Sequence, residues 1–532
     1  MNEPHPKIFN TVGACVPADH YMLPVLPRLD VSDMIKDKFY FILHAPRQSG
    51  KTTYIEALTN KINEEGNYYA LYCELSPLSG IKDVEVAVTQ LVDQVNIGLS
   101  FSQVEALKKK ADTYGSITSV RAFGSRVRIL LNAICRDLDK ELIVFFDEAD
   151  CLGGPALVTF LTQIRAGYLA RHQPNIDFPR SMALVGMRDI RDYLVQVRPD
   201  EASTGIASPF NIKKESLTLA NFTCGEIHAL YNQHTKATGQ KFTGEAIHRA
   251  WHWTEGQPWL ANALAYEIVV KQLQNDYSKT VTDSSIDQAA ETLIRRRDTH
   301  IDSLLERLKE PRVRRVIEPI IVGDDFWNNK VSEDDIRYAV DLGLIKQDKD
   351  GLASPANPIY GEVIIRTLTQ RLQTIVPKEL VNRWTDGIKL DMTALLKGFQ
   401  QFWRENSEIL EAPHNYKEST PHLVCFAFLQ RVLNGEAESL TSEYALGRRR
   451  LDIDAKYKGV SYPVELKVKR KGQFSKKKAQ EALDQLCSYM DKLGAEEGWL
   501  VIFDRDVIKS WDKKIYWDTK QIGKLTIHVV GC

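Results

Sequence analysis

The chain of 532 residues carries 69 lysines and arginines against 70 aspartates and glutamates, a formal net charge of −1. Bulk charge therefore excludes a general affinity for nucleic acid or anionic surfaces, and any such affinity must be local. Apolar residues at 43% and charged residues at 26% are ordinary for a protein with real cores, and the length predicts roughly three or four domains.

The eight cysteines are scattered without a C-x-x-C pair. That argues against zinc or a disulfide framework and for a reducing cytoplasm. No apolar run reaches membrane-spanning length, and Met-Asn-Glu-Pro-His-Pro has no signal-peptide core. Residues 1 to about 30 are punctuated by Pro4, Pro6, Pro17, Pro24 and Pro27 and are expected to lie extended against the next domain. His20-Tyr21 either packs there or borders a base pocket.

The apolar run Phe39 to Leu43 reads as a strand that breaks into the loop Ala45-Pro46-Arg47-Gln48-Ser49-Gly50, and a helix follows from Lys51-Thr52-Thr53. Strand, glycine loop and helix in this order make a P-loop for the phosphates of ATP. Backbone N–H groups from Gln48 through Thr53 wrap the phosphates, Lys51 reaches the β/γ oxygens, and the Thr52 hydroxyl ligates Mg²⁺. Ala45 stands where the motif has its first glycine, which is tolerable if its φ is negative.

Gly66 to Leu75 reads as the next strand, followed by amphipathic helices between Val84 and Cys135. Five apolar residues, Leu142 to Phe146, then lead to Asp147 and Glu148. Such a run suits a parallel strand buried on both faces, with its ligands at the carboxyl end. Asp147 is expected in the Mg²⁺ shell, and Glu148 is expected to polarise the attacking water. Ala183 to Met187 reads as a further strand ending at Arg188, a candidate γ-phosphate sensor or else a surface ion pair.

This core is expected to span 31–215, with a helical lid at 216–285. Within the lid, Gly256-Gln257-Pro258 marks a turn between helices and would set Pro258 against adenine or ribose. Over 286–375, a helix around Glu333 to Leu344 precedes the turn Asp348-Lys349-Asp350-Gly351, a winged-helix pattern that serves DNA binding or internal packing.

His20 to Pro24, Ala45 to Thr53, Gly256 to Trp259 and Asn357 to Tyr360 together resemble the AAA-like, STAND-clade ATPases over residues 10 to 375. The resemblance implies a nucleotide-driven switch, closed with ADP, whose ATP form assembles as a homo-oligomer. Asp147-Glu148-Ala149-Asp150 also spells the motif of DEAD-box helicases, but no second P-loop-like sheet is expected downstream.

After a helical linker (376–419, with helix from Leu380 to Glu411), the helix His422 to Asn434 opens a compact α/β segment, 420–532. Leu451 to Ala455 alternates so that Asp452 and Asp454 share a face, and Tyr462 to Val468 alternates so that Glu465 and Lys467 do. Two carboxylates can hold Mg²⁺ or Mn²⁺, and a lysine can orient water or steady the phosphate. Asp452 (favoured over Asp454), Glu465 and Lys467, with Glu443 upstream and Gln485 and Tyr489 downstream, resemble the PD-(D/E)XK nucleases. That resemblance makes Asp452 and Glu465 the metal ligands and Gln485 a further catalytic position.

Arg448-Arg449-Arg450, Lys467 to Lys471 and Lys476-Lys477-Lys478 cluster there, with no acid from Leu466 to Gln480. Phosphate neutralisation follows, with DNA favoured as partner. The fold class expected is α/β multidomain: P-loop parallel-sheet core, helical lid, winged helix and restriction-endonuclease-like domain. The function expected is an ATP-hydrolysing switch controlling a metal-dependent nuclease, in defence against foreign DNA. The alternative is a signalling or scaffolding ATPase whose nuclease-like domain only binds.

Overall fold

The computed structural model describes residues 6–113, 122–136, 138–187, 212–296, 299–322, 331–373, 376, 384, 389–411, 420–433, 439–441, 453–469, 476–506 and 508–532. The chain divides into two compact units, the first made chiefly of residues up to Ala289.

The first unit is built on five parallel strands: β1 (Tyr40–His44), β2 (Tyr69–Glu74), β3 (Leu142–Asp147), β4 (Ser181–Gly186) and β5 (Lys213–Thr218), in the order β2-β3-β4-β1-β5. Both faces are covered, which is why β1, β3 and β4 read as unbroken apolar runs. Tyr40, Ile42, Val144, Phe146, Met182 and Leu184 pack to one side with residues of the helices Val84–Phe101, Arg126–Cys135 and Gly154–Ala170. Phe41, Leu43, Ile143, Phe145, Ala183 and Val185 pack to the other with Tyr54, Ile55, Leu58 and Ile62 of the helix Lys51–Glu65. β5, sequence Lys-Lys-Glu-Ser-Leu-Thr, lies at the sheet edge and has no apolar run to announce it.

The helices Cys224–Thr238, Gly244–Thr254 and Pro258–Tyr266 follow. A reciprocal capping box between Thr223 and Glu226 fixes the first. The amino-terminal segment packs on these helices. Tyr21, buried, sits 4.9 Å from Phe9 and 5.4 Å from His234, ring centre to ring centre. The Met22 backbone exchanges hydrogen bonds with the Gln233 side chain.

In the second unit, the helices Thr299–Arg307, Pro311–Val322 and Glu333–Asp341 precede a two-stranded antiparallel hairpin, β6 (Ile345–Gln347) and β7 (Ala353–Pro355). Asp335, buried, accepts from both Arg312 and Arg315 and ties two of these helices together. The helices Pro358–Gln373, Met392–Glu411 and Thr420–Leu433 come next. The second of these was expected from Leu380; residues 380–383 and 385–388 lie outside the described residues, and the described helix starts at Met392, where the Asp391 side chain caps the amide of Ala394.

A six-stranded mixed sheet closes the chain: β8 (Ser439–Thr441), β9 (Ile453–Tyr457), β10 (Val460–Lys469), β11 (Glu497–Asp504), β12 (Tyr516–Ile522) and β13 (Leu525–Gly531), ordered β12-β13-β11-β10-β9-β8. β10, β11 and β13 run parallel, and the helix Lys476–Leu493 makes the crossover from β10 to β11.

Candidate functional site

At the carboxyl end of β1 the chain turns into the loop before the helix Lys51–Glu65. Gln48 (φ 56°) and Gly50 (φ 90°) are its residues with positive φ. Ala45 is not among them and is fully buried, with its amide donating to Gly186 O at 3.3 Å. A glycine is therefore not required there.

Lys51 is buried, and its Nζ donates to Ala45 O (2.8 Å) and Pro46 O (3.0 Å). Burial pushes the ammonium pKa down, while Glu148, Asp150 and Asp147 pull it back. Thr52 Oγ1 donates to Asp147 Oδ2 at 2.7 Å, and the Tyr72 hydroxyl reaches the same oxygen at 3.2 Å. A hydroxyl and a carboxylate so placed are hard oxygen donors that fit Mg²⁺, which takes one or two protein oxygens and completes its shell with water and phosphate.

Asp147 Oδ1 accepts the Glu148 amide at 2.9 Å, and Glu148 itself is left-handed (φ 52°, ψ 38°). Such a conformation in a non-glycine residue costs on the order of 1 kcal/mol and is held by its surroundings. Burial first, then Asp150 and Asp147, raise the Glu148 pKa against the pull of Lys51. Ser49 is buried, and Thr53 Oγ1 accepts the amide of Cys15 at 3.0 Å, so its hydroxyl serves the amino-terminal segment. Arg188 lies outside the described residues.

Pro258 occupies the first turn of its helix, where its missing N–H costs nothing. The residue that reaches the loop is its neighbour. Gln257 caps the helix by accepting from the amide of Leu260 (2.6 Å), and its Nε2 donates to Gln48 O at 3.4 Å. Gly256 has φ 73°, and its carbonyl accepts from the Phe222 amide at 2.7 Å. A Cβ there would stand 1.8 Å from Phe222 O. Gly256→Ala should therefore cost about 1–3 kcal/mol through strain and overpacking. Thermal denaturation should show a lower midpoint, and an unchanged melt would refute this account of the turn.

Gln257 and Tyr72 were not singled out from the sequence. Gln257 is the middle residue of the turn that was, with no role given to it there; Tyr72 carries no motif and acts through the β2–β3 register, in which it pairs with Phe145.

The second candidate site lies on the carboxy-terminal sheet. Glu465 pairs with Leu500 and Lys467 with Ile502 across the parallel β10–β11 ladder. Leu500 and Ile502 pack against Leu483, Leu486, Tyr489 and Met490 of the crossover helix. Glu465, Lys467 and the helix that carries Gln485 therefore share one side of the sheet. Glu465 is fully buried, with Lys467 Nζ 2.6 Å from its Oε1.

Asp454 pairs with Pro463 in the antiparallel β9–β10 ladder, which puts it diagonal to Glu465 on the same face. It too is fully buried, accepts from Ser461 Oγ at 3.2 Å and lies 3.7 Å from Lys456 Nζ. Burial raises its pKa, with Lys456 opposing. Asp452, Glu443, Arg448, Arg449, Arg450, Arg470 and Lys471 lie outside the described residues, as do the side chains of Lys476 and Lys477; Lys478 is exposed. Among the described residues no group of three or more His, Cys, Asp or Glu side chains is arranged to hold a metal ion.

A parallel sheet in this order, with a phosphate loop after β1 and a carboxylate ending the buried strand β3, which β4 separates from β1, fits a P-loop ATPase core. Among solved structures, the chain is similar to a Walker-type ATPase of Pyrococcus abyssi at 14% identity and a TM-score of 0.44, over 67% of this chain and 99% of that one. It is similar to the ORC2 protein of Aeropyrum pernix at 11% identity and 0.37, over 63% and 89%. For the RuvB Holliday junction branch migration motor of Thermotoga maritima the values are 15% and 0.30, over 59% and 83%. At these scores the likenesses carry no inference about activity. No protein-family model matches the sequence, and no curated protein does.

Proposed function

We propose that this protein is an ATP-hydrolysing switch that controls a metal-dependent nuclease acting on nucleic acid, DNA being favoured. The observation that carries the ATP reading is the convergence of Thr52 and Asp147 at 2.7 Å beside the buried Lys51. In this reading residues 31–215 are the ATPase core, 216–285 the lid and 286–375 a winged helix. Residues 376–419 link these to the nuclease-like domain, 420–532. Bound Mg²⁺ would neutralise developing charge on the phosphates. Lys51 holds the β/γ oxygens, Thr52 and Asp147 orient the metal shell, and Glu148 takes a proton from water.

At the second site Glu465, with Asp452 or Asp454, would hold Mg²⁺ or Mn²⁺, and Lys467 would stabilise charge at the scissile phosphate. Defence against foreign DNA is the role proposed for this activity. The test is cleavage of labelled DNA and RNA by the full chain with Mg²⁺ or Mn²⁺, with and without ATP. One observation favours the scaffolding alternative: Glu465 is fully buried and closed by its own lysine. Absence of cleavage under every combination would select that alternative.

Self-association with ATP is part of the proposal, motivated by the lid contact from Gln257 to the phosphate loop. Light scattering should show a higher mass with a non-hydrolysable ATP analogue than with ADP. Equal masses would remove assembly from the mechanism.

A further inference from the structure

Glu465, Lys467 and Lys469 alternate along one face of β10, spaced about 6.6 Å apart at two residues per step. The parallel register sets Lys469 beside Asp504, the last residue of β11. The Asp504 side chain is 7% exposed, and its Oδ2 takes two ammonium groups, Lys469 at 3.3 Å and Lys509 at 2.7 Å. These lysines are 37% and 35% exposed, so each is anchored at its head yet open to solvent.

The turn that carries Lys509 is itself tied down. Asp504 Oδ1 accepts the Asp506 amide at 3.1 Å, the Lys509 amide donates to Asp506 O at 3.2 Å, and the Arg505 amide donates to Lys469 O at 3.0 Å. The Asp506 carboxylate is turned to the amide of Ile508 at 3.1 Å. Burial acts to raise the Asp504 pKa, but Lys509, the Asp506 amide and Lys469 together hold it below the usual value. One carboxylate oxygen thus fixes two cations at the carboxyl ends of the central strands β10 and β11; these three groups together carry one net positive charge, with the Asp506 carboxylate also acting on Lys509.

We propose that Lys469 and Lys509, held together by Asp504, form a clamp for one backbone phosphate of the nucleic-acid strand, one step out from Lys467. This rests on the nuclease reading of the same domain. The sequence pattern places Lys469 in a basic run, but Lys509 and Asp504 join it only through the β10–β11 ladder. Ammonium groups meet phosphate as point charges and read no base, so the clamp acts alike on every sequence. Its part is to set the register of the strand against Glu465.

The experiment is fluorescence anisotropy of a labelled DNA duplex and single strand with the full chain, in EDTA, across a salt series. The double variant Lys469→Gln, Lys509→Gln should bind more weakly on all sequences, with the slope of log affinity against log salt reduced by about one. Lys469→Arg with Lys509→Arg should restore the slope. Lys520→Gln with Lys524→Gln, both exposed on the β12–β13 hairpin, removes equal charge and should leave binding unchanged. The proposal is overturned if the Lys469, Lys509 variant binds as the wild type does, if the hairpin variant loses as much, or if the wild type binds neither DNA. A wild type that binds but cuts nothing with Mg²⁺ or Mn²⁺ sinks the nuclease reading while the clamp stands.

Discussion

Glu465→Ala should abolish metal-dependent cleavage while leaving ATP hydrolysis near the wild-type rate. The carboxylate is fully buried and 2.6 Å from Lys467 Nζ, so its removal would take away the proposed metal ligand and this contact of the lysine together. Leaving one member of such a pair costs several kcal/mol of local stability, so Glu465→Gln serves as the milder companion. Lys467→Ala should keep metal binding, read by calorimetry, and slow cleavage by about 10²–10³, the usual loss for one charge-stabilising group. Cleavage by the Glu465→Gln protein at the wild-type rate would remove this site from the chemistry.

Lys51→Ala should leave the first unit unable to retain ATP, because the ammonium is the cation buried inside the loop. Glu148→Gln should bind ATP normally and turn over about 10²–10⁴ times more slowly, the range for loss of a general base. The pH profile supplies an independent check. A base must be deprotonated to act, and burial with Asp150 and Asp147 holds the Glu148 pKa above the ordinary carboxylate value. Hydrolysis should therefore fade, as pH drops, at a higher pH than an exposed glutamate would set. Normal turnover by the Glu148→Gln protein, or a profile flat through the mildly acidic range, would contradict the role.

What could be read from the sequence depended on how each residue is constrained. β1, β3 and β4 are buried on both faces, so their apolar runs stand out. β12 is exposed along nearly its whole length and β5 is largely polar, so pairing at a sheet edge, not composition, makes them strands. The site divides the same way. Lys51, Thr52 and Asp147 sit at motif spacings that a local pattern can show. Tyr72 against Asp147, Gln257 against Gln48, and Asp504 against Lys469 and Lys509 depend on register and tertiary approach. No local pattern encodes those meetings. Ala45 was a departure on paper, and the negative-φ backbone removes the reason for a glycine.

The helix Thr420–Leu433 is buried on nearly every face, Arg431 being its half-buried exception. Its Gln430 accepts from Gln373 and Thr369 of the helix Pro358–Gln373, while Phe428 meets Phe399 and Phe402 of the helix Met392–Glu411. A segment wrapped this way has no face of its own to offer water. Cutting the chain at residue 420 would expose Leu423, Phe426, Phe428 and Leu429 on one short helix, an aggregation hazard instead of a free-standing enzyme. The second unit is thus bound to unfold as a single cooperative block. Evolution could exchange the carboxy-terminal mixed sheet for another only by bringing the preceding helices along with it.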